Sequence, residues 1–152
     1  MTTTTTMAEL DGLIGTELGT SDWYEVTQDH VNLFADATGD HQWIHVDVER
    51  ATKESPFGGP IAHGYLTLSL LVPLLGQVIA VSDTVMGVNY GLNKVRFPSP
   101  VPVGSRVRLT ATLAKVEEVA GGKQLTFSCV VERDGGDKPV CIAEPVYRYY
   151  GG

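Results

Sequence analysis

From Gly64 to about Val81 the chain is apolar nearly all round: Tyr65, Leu66, Leu68, Leu70, Leu71, Val72, Leu74, Leu75, Val78 and Ile79 leave no polar stripe. A helix apolar on every face is either buried or spans a membrane. The run is at the short limit for a span, for which about 17–25 residues are needed. Thr67, Ser69, Pro73 and Gln77 interrupt it, and no Lys or Arg flanks it, so it reads as a buried central helix. Pro73 removes one backbone hydrogen bond and is expected to kink that helix. The remainder of the 152 residues must supply the surface that covers it.

The second half supplies strands. Between Ser105 and Lys115, Val107, Leu109, Ala111 and Leu113 alternate with Arg106, Arg108, Thr110 and Thr112, which is the period of a half-buried strand. Gly121-Gly122 marks a turn, and Leu125, Phe127, Cys129 and Val131 carry the pattern on. Asp134-Gly135-Gly136-Asp137 marks another turn, and a last strand runs from about Val140 to Tyr149. Pro145 within it predicts an edge position or a bulge. Met86 to Phe97 changes parity, which one bulge near Asn93-Lys94 reconciles.

The first half reads as a short strand over Asp22–Val26 and a helix over Gln28–Thr38. That helix has Thr27 as N-cap, Asp29 in its first turn and Gly39 just past its end. Asp40–Val46 is expected to be irregular, Asp47 to cap a short helix through Thr52, and Ser55–Pro60 to be a loop. Residues 1–10 are expected to be a flexible tail and 11–152 a single domain. The fold class is α+β: a curved antiparallel sheet of about five strands wrapped around one long helix. A single sheet leaves an edge or a face uncovered, so a homodimer is expected.

Acidic residues outnumber basic ones, 18 to 11, for a net charge of −7. With no basic run, nucleic acid and anionic membrane surfaces are not expected partners. The Thr-rich start has neither a basic nor an apolar region, does not read as a secretion signal, and leaves a cytoplasmic location as the expectation. Cys129 and Cys141 form no CxxC and read as free core residues. His30, His41, His45 and His63 lack metal-ligand spacing, and neither GxGxxG nor a Walker sequence occurs. No metal and no cofactor is therefore expected. His30 is expected to face solvent. Ser69 has no GxSxG context and is no nucleophile.

Chemistry concentrates in two stretches. In Gly39-Asp40-His41-Gln42-Trp43-Ile44-His45-Val46-Asp47, Asp40 and His45 are five residues apart. On a continuous helix they diverge and on a strand they face opposite ways. Only a turn lets them meet, and Gly39 permits one. Apolar Trp43 and Ile44 beside them would raise a carboxylate pKa and lower an imidazole pKa, bringing both into the range of general acid–base work. The same residues also fit a turn in which Asp40 only accepts backbone bonds, with His45 a satisfied core histidine and His41 a looser substitute for it. The second stretch, Gly58-Gly59-Pro60-Ile61-Ala62-His63-Gly64, leads into the apolar helix. Amides at a helix start are unpaired, and the Gly64 N–H can hold a developing oxyanion. Gly64 also fits a plain loop-to-helix junction, and His63 a structural role.

Together with Val95-Arg96-Phe97-Pro98-Ser99-Pro100-Val101-Pro102-Val103-Gly104, these stretches resemble the MaoC-like, or hydratase 2, branch of the hot-dog fold, and its NodN-like subset in the pair Gln42-Trp43. The resemblance covers about Asp22 to Tyr149. It implies a long helix wrapped by a curved sheet. It also implies (R)-specific hydration of trans-2-enoyl-CoA and the reverse dehydration. Asp40 and His45 would activate one water, and the Gly64 N–H would bind the thioester oxygen. Gln42, Trp43, His63, Lys94 and Arg96 would contact an acyl-CoA substrate, with Lys53 and Arg106 as further candidates for its phosphates. Gln42-Trp43 stands where most of the family has Asn-Pro, and Val72 where many members have a Ser bonded to the Asp. Thr67 and Ser69 are the nearby hydroxyls on the same helix that would replace it. The alternatives are a dehydratase of 3-hydroxyacyl carrier protein substrates and a non-catalytic acyl-CoA binding module. A hot-dog thioesterase is a further one, which has no need of His45.

Overall fold

The apolar stretch expected as one helix is built as two short helices and a strand. A computed structural model describes residues 2–152. In chain order the elements are β1 (Thr3–Thr5), a 3-10 turn (Met7–Leu13), β2 (Glu17–Thr20), β3 (Tyr24–Glu25), α1 (Gln28–Thr38), α2 (Trp43–Val46) and α3 (Val48–Glu54). They continue with α4 (Gly64–Ser69), α5 (Leu71–Gly76), β4 (Ile79–Val81), β5 (Thr84–Arg96), β6 (Arg106–Val119), β7 (Gly122–Arg133) and β8 (Cys141–Gly151). Pro73 has no N–H for the Ser69 carbonyl, and the helix breaks there, with Leu70 between α4 and α5. After Gly76 the chain leaves the helix, and Ile79–Val81 pairs as a strand.

The sheet is antiparallel with strand order β2-β6-β7-β8-β5, and β3 also pairs β6, making six strands. The strand not anticipated is Glu17–Thr20, whose register shifts between Glu17 and Gly19. Leu70, Leu71, Leu74 and Leu75 pack against Val107, Leu109, Ala111 and Leu113 of β6 and Leu125, Phe127, Cys129 and Val131 of β7. Each large apolar side chain so buried contributes about 1.5–3 kcal/mol. No helix among the described residues is long and apolar enough to cross a membrane.

The two irregularities expected in the sheet are one feature. The β5–β8 register shifts between Leu92 and Val95, around Asn93-Lys94. Pro145 pairs Leu92 at that step, so it sits at a bulge inside the sheet, since β8 lies between β7 and β5. The expected tail is also corrected. Thr3–Thr5 pairs in parallel with Ile79–Val81, and Leu10 is fully buried; Met1 lies outside the described residues. Cys129 and Cys141 are free and buried. Burial pushes their thiols up to about 12 and about 11, so neither is a reactive thiolate at neutral pH.

Candidate active site

α1 aims the chain at the site. Thr27 caps it by accepting the His30 N–H, and Gly39 ends it in the left-handed region at φ 86°, its N–H donating to Ala35 O. Only glycine takes that conformation without strain. The chain therefore turns at once, and Asp40 emerges exposed, its Oδ1 accepting the Gln42 N–H at 3.3 Å. The segment expected to be irregular then winds into α2, where Gln42 O accepts the N–H groups of His45 and Val46. That single helical turn swings His45 inward, where it is 6% exposed.

Backbone bonds fix the second stretch against the first. Ile61 N–H donates to Ile44 O, Ala62 N–H to Val101 O and Val103 N–H to Pro60 O. Gln28 Nε2 of α1 donates to His45 O at 2.8 Å. The His45 ring is oriented by Nδ1, 2.6 Å from Ile61 O. A carbonyl oxygen only accepts, so Nδ1 carries the proton and Nε2 the lone pair. Burial holds the imidazole below its ordinary 6.5; the Ile61 carbonyl opposes this, His63 adds to it and the Asp40 carboxylate opposes it.

A carboxylate oxygen of Asp40 and one ring nitrogen each of His45 and His63 lie within 4.8 Å of one another. The His45 and His63 rings stack, with centroids 3.9 Å apart and planes 24° apart. Two His and a carboxylate are a possible ligand set for a metal, which no spacing in the sequence announced. In stacked rings, however, the in-plane lone pairs run side by side rather than converge. His45 Nδ1 and His63 Nε2 are moreover engaged by carbonyl oxygens. The geometry suits proton transfer better than chelation.

Gly64 begins α4 directly after His63. A Cβ on Gly64 would stand 3.2 Å from the Phe97 ring, a tight contact that the ring would have to yield to by a few tenths of an ångström. Beside it is an open groove of about 450 Å³ lined by Phe57, Ile61, Thr67, Phe97, Pro100 and Val140. A cavity of about 520 Å³ lined by Tyr90, Lys115, Glu117 and Glu144 includes none of Asp40, His45 and Gly64.

The residues expected to meet substrate differ in exposure. His63, expected as a substrate contact, is 2% exposed and buried between His45 and Phe34. The half-buried Trp43 ring is covered by the Arg50 guanidinium, 4.2 Å from its centroid. Gln42 is exposed at the start of α2. Lys94 is exposed at the β5 bulge, and Arg96 is exposed with Nη1 on Val95 O. Lys53 and Arg106 are paired with Glu49 and Asp134. His41 is exposed beside Asp36, and His30 is exposed as expected. The hydroxyls of Thr67 and Ser69 donate to His63 O and Tyr65 O, and neither replaces the missing serine at Asp40. Sequence reasoning missed Phe97 over Gly64, the Gln28 bond to α2 and the His45–His63 stack.

Comparison with known proteins identifies the family. Residues 9–133 match the family model described as MaoC like domain. The chain is 55% identical over 150 residues to the 3-hydroxyacyl-thioester dehydratase Z of Mycobacterium tuberculosis, covering 98% of this chain and 99% of that one. It is 47% identical over 140 residues to Nodulation protein N of Rhizobium leguminosarum bv. viciae, covering 90% and 86%. Among solved structures, the (R)-hydratase from A. caviae involved in PHA biosynthesis superposes with a TM-score of 0.69 at 25% identity, covering 88% of this chain and 94% of that one. The chain belongs to the MaoC-like dehydratase family of the hot-dog fold and is a hydro-lyase.

Proposed function

We propose that this protein catalyses (R)-specific hydration of trans-2-enoyl-CoA to (R)-3-hydroxyacyl-CoA, and the reverse dehydration, in the cytoplasm. The observation that carries this is a carboxylate brought together with an imidazole whose Nε2 lone pair is free, the imidazole being oriented by Ile61, which with Gly64 lines an apolar groove. Asp40 and His45 hold one water. His45 Nε2 accepts one of its protons as the water oxygen bonds to the β-carbon. The thioester oxygen, bearing the enolate charge, is held by the Gly64 N–H. The α-carbon then takes a proton from the pair. One H and one OH have added, and Asp40 and His45 return to their starting charges. The (R) outcome is supported by the likeness to the solved (R)-hydratase.

The test is hydration of matched crotonyl thioesters of CoA and of acyl carrier protein, with product configuration assigned by an (R)-specific dehydrogenase. Faster turnover of the CoA ester to the (R) product is expected. Preference for the carrier protein overturns the CoA assignment. Tight binding without turnover, or release of free thiol, overturns the hydratase reading.

Two further outcomes follow from the same geometry. Protonating His45 removes the base, so activity is lost as pH falls through its folded pKa. Because that value lies below 6.5, the acid limb of kcat/KM is expected below pH 6.5, and a limb above it contradicts the assignment. Lys94, exposed beside the Val95–Pro98 strand end, is a cation for the CoA phosphates despite the net charge of −7. Lys94→Glu is expected to raise KM about two- to fivefold, the scale of an exposed ion pair, with kcat unchanged. An unmoved KM removes Lys94 from the site.

The working unit is proposed to be a homodimer. Among the described residues β5 pairs only β8 and is an edge strand, yet Val85, Met86, Val88, Tyr90 and Leu92 along it are exposed. Tyr65 of α4 and Val72 of α5 are exposed too. A long apolar edge invites pairing, and a second copy of the same strand satisfies it. Sedimentation is expected to give twice the chain mass; a monomer at micromolar concentration refutes this.

A further inference from the structure

His63 takes no part in the steps above, yet it touches the backbone of one proposed catalytic group and the ring of the other. Its Nε2 lies 3.0 Å from Asp40 O. Since that oxygen only accepts, Nε2 carries the proton. One side of the ring stacks on His45, and the ring also packs against Phe34 of α1 at 4.9 Å. Its Nδ1 is buried and finds no hydrogen-bond partner among the described residues. A proton on Nδ1 would find no acceptor there, so the hydrogen that the ring needs for a bond sits on Nε2. His63 is also the N-cap of α4, so its backbone leads directly into the Gly64 amide.

We infer that His63 is a positioning residue for the hydration reaction: its N–H tethers the Asp40 turn, and its ring sets the plane of His45. This rests on the assignment of Asp40 and His45 above. Asp40 lies beyond a helix end, and its carboxylate accepts only the Gln42 N–H among the described residues. The bond from His63 is then the one that ties the Asp40 backbone to the start of α4. The groups facing His45 are Asp40 from the turn and His63 from the start of α4, with the Ile61 carbonyl between them in chain order.

Two substitutions separate the two contacts. His63→Phe keeps a ring to stack and removes the tether. His63→Gln keeps an N–H within reach of Asp40 O and removes the ring. Both are expected to lower kcat about 10- to 100-fold, with KM for crotonyl-CoA within about twofold of wild type. A rise in KM with kcat unchanged makes His63 a substrate contact and overturns the inference, as does wild-type kcat in either variant. If neither variant folds, 15N spectra of the unaltered protein decide. A proton on His63 Nε2 is expected, and a ring protonated at Nδ1 alone overturns the tether. These results are independent of the Asp40 and His45 variants, whose unchanged activity alone would refute the underlying assignment.

Discussion

Asp40→Asn and His45→Asn are each expected to fold normally and to lose hydration of crotonyl-CoA by about 10²–10⁴-fold, the contribution of a positioned general acid–base group. The substitutions are chosen for what they preserve. Asn at position 40 keeps an oxygen to accept the Gln42 N–H, so the turn after Gly39 survives while the charge is lost. Asn at position 45 can place an amide N–H where Nδ1 now donates to Ile61 O, so the tie to the second stretch survives while Nε2 is lost. Thermal melting checks the fold, and loss of enoyl absorbance reads the activity. Near wild-type turnover in either variant removes that residue from the chemistry.

Gly64→Pro is expected to lower kcat by about 10²–10³-fold, the cost of losing one oxyanion donor. Proline deletes the N–H, and its ring is tolerated at the first position of a helix. His63 before it already has ψ 139°, an extended conformation that suits a following proline. Any side chain here crowds Phe97, so Gly64→Ala is the control: it brings a Cβ to 3.2 Å from that ring and leaves the amide. Alanine is expected to cost only a few-fold. Equal losses in the two variants would assign the effect to crowding and discard the amide as the donor.

Local signals in this chain were readable where one physical cause acted alone. Thr27 and Gly39 mark both ends of α1 because capping is a property of neighbouring residues. The alternation of β6 and the bulge at Asn93-Lys94 are likewise written in side-chain parity. Where two causes competed, the pattern was ambiguous. The apolar run from Gly64 promised one helix, but Pro73 split it, and Ile79–Val81 found a strand partner in Thr3–Thr5, a pairing invisible to periodicity. Within the site, the approach of Asp40 to His45 needed only a turn, and Gly39 advertised it. The orientation of His63 depends on contacts with Phe34, Asp40 and His45, up to 29 positions away in the chain, and no spacing rule encodes such a contact.

The account stands on one shared position between a carboxylate and an imidazole. A crystal structure of the Asp40→Asn dimer with (R)-3-hydroxybutyryl-CoA examines it directly. The hydroxyl oxygen is expected within about 3 Å of both residue 40 and His45 Nε2, with the thioester oxygen on the Gly64 amide. A hydroxyl bound out of reach of His45 Nε2 would contradict it.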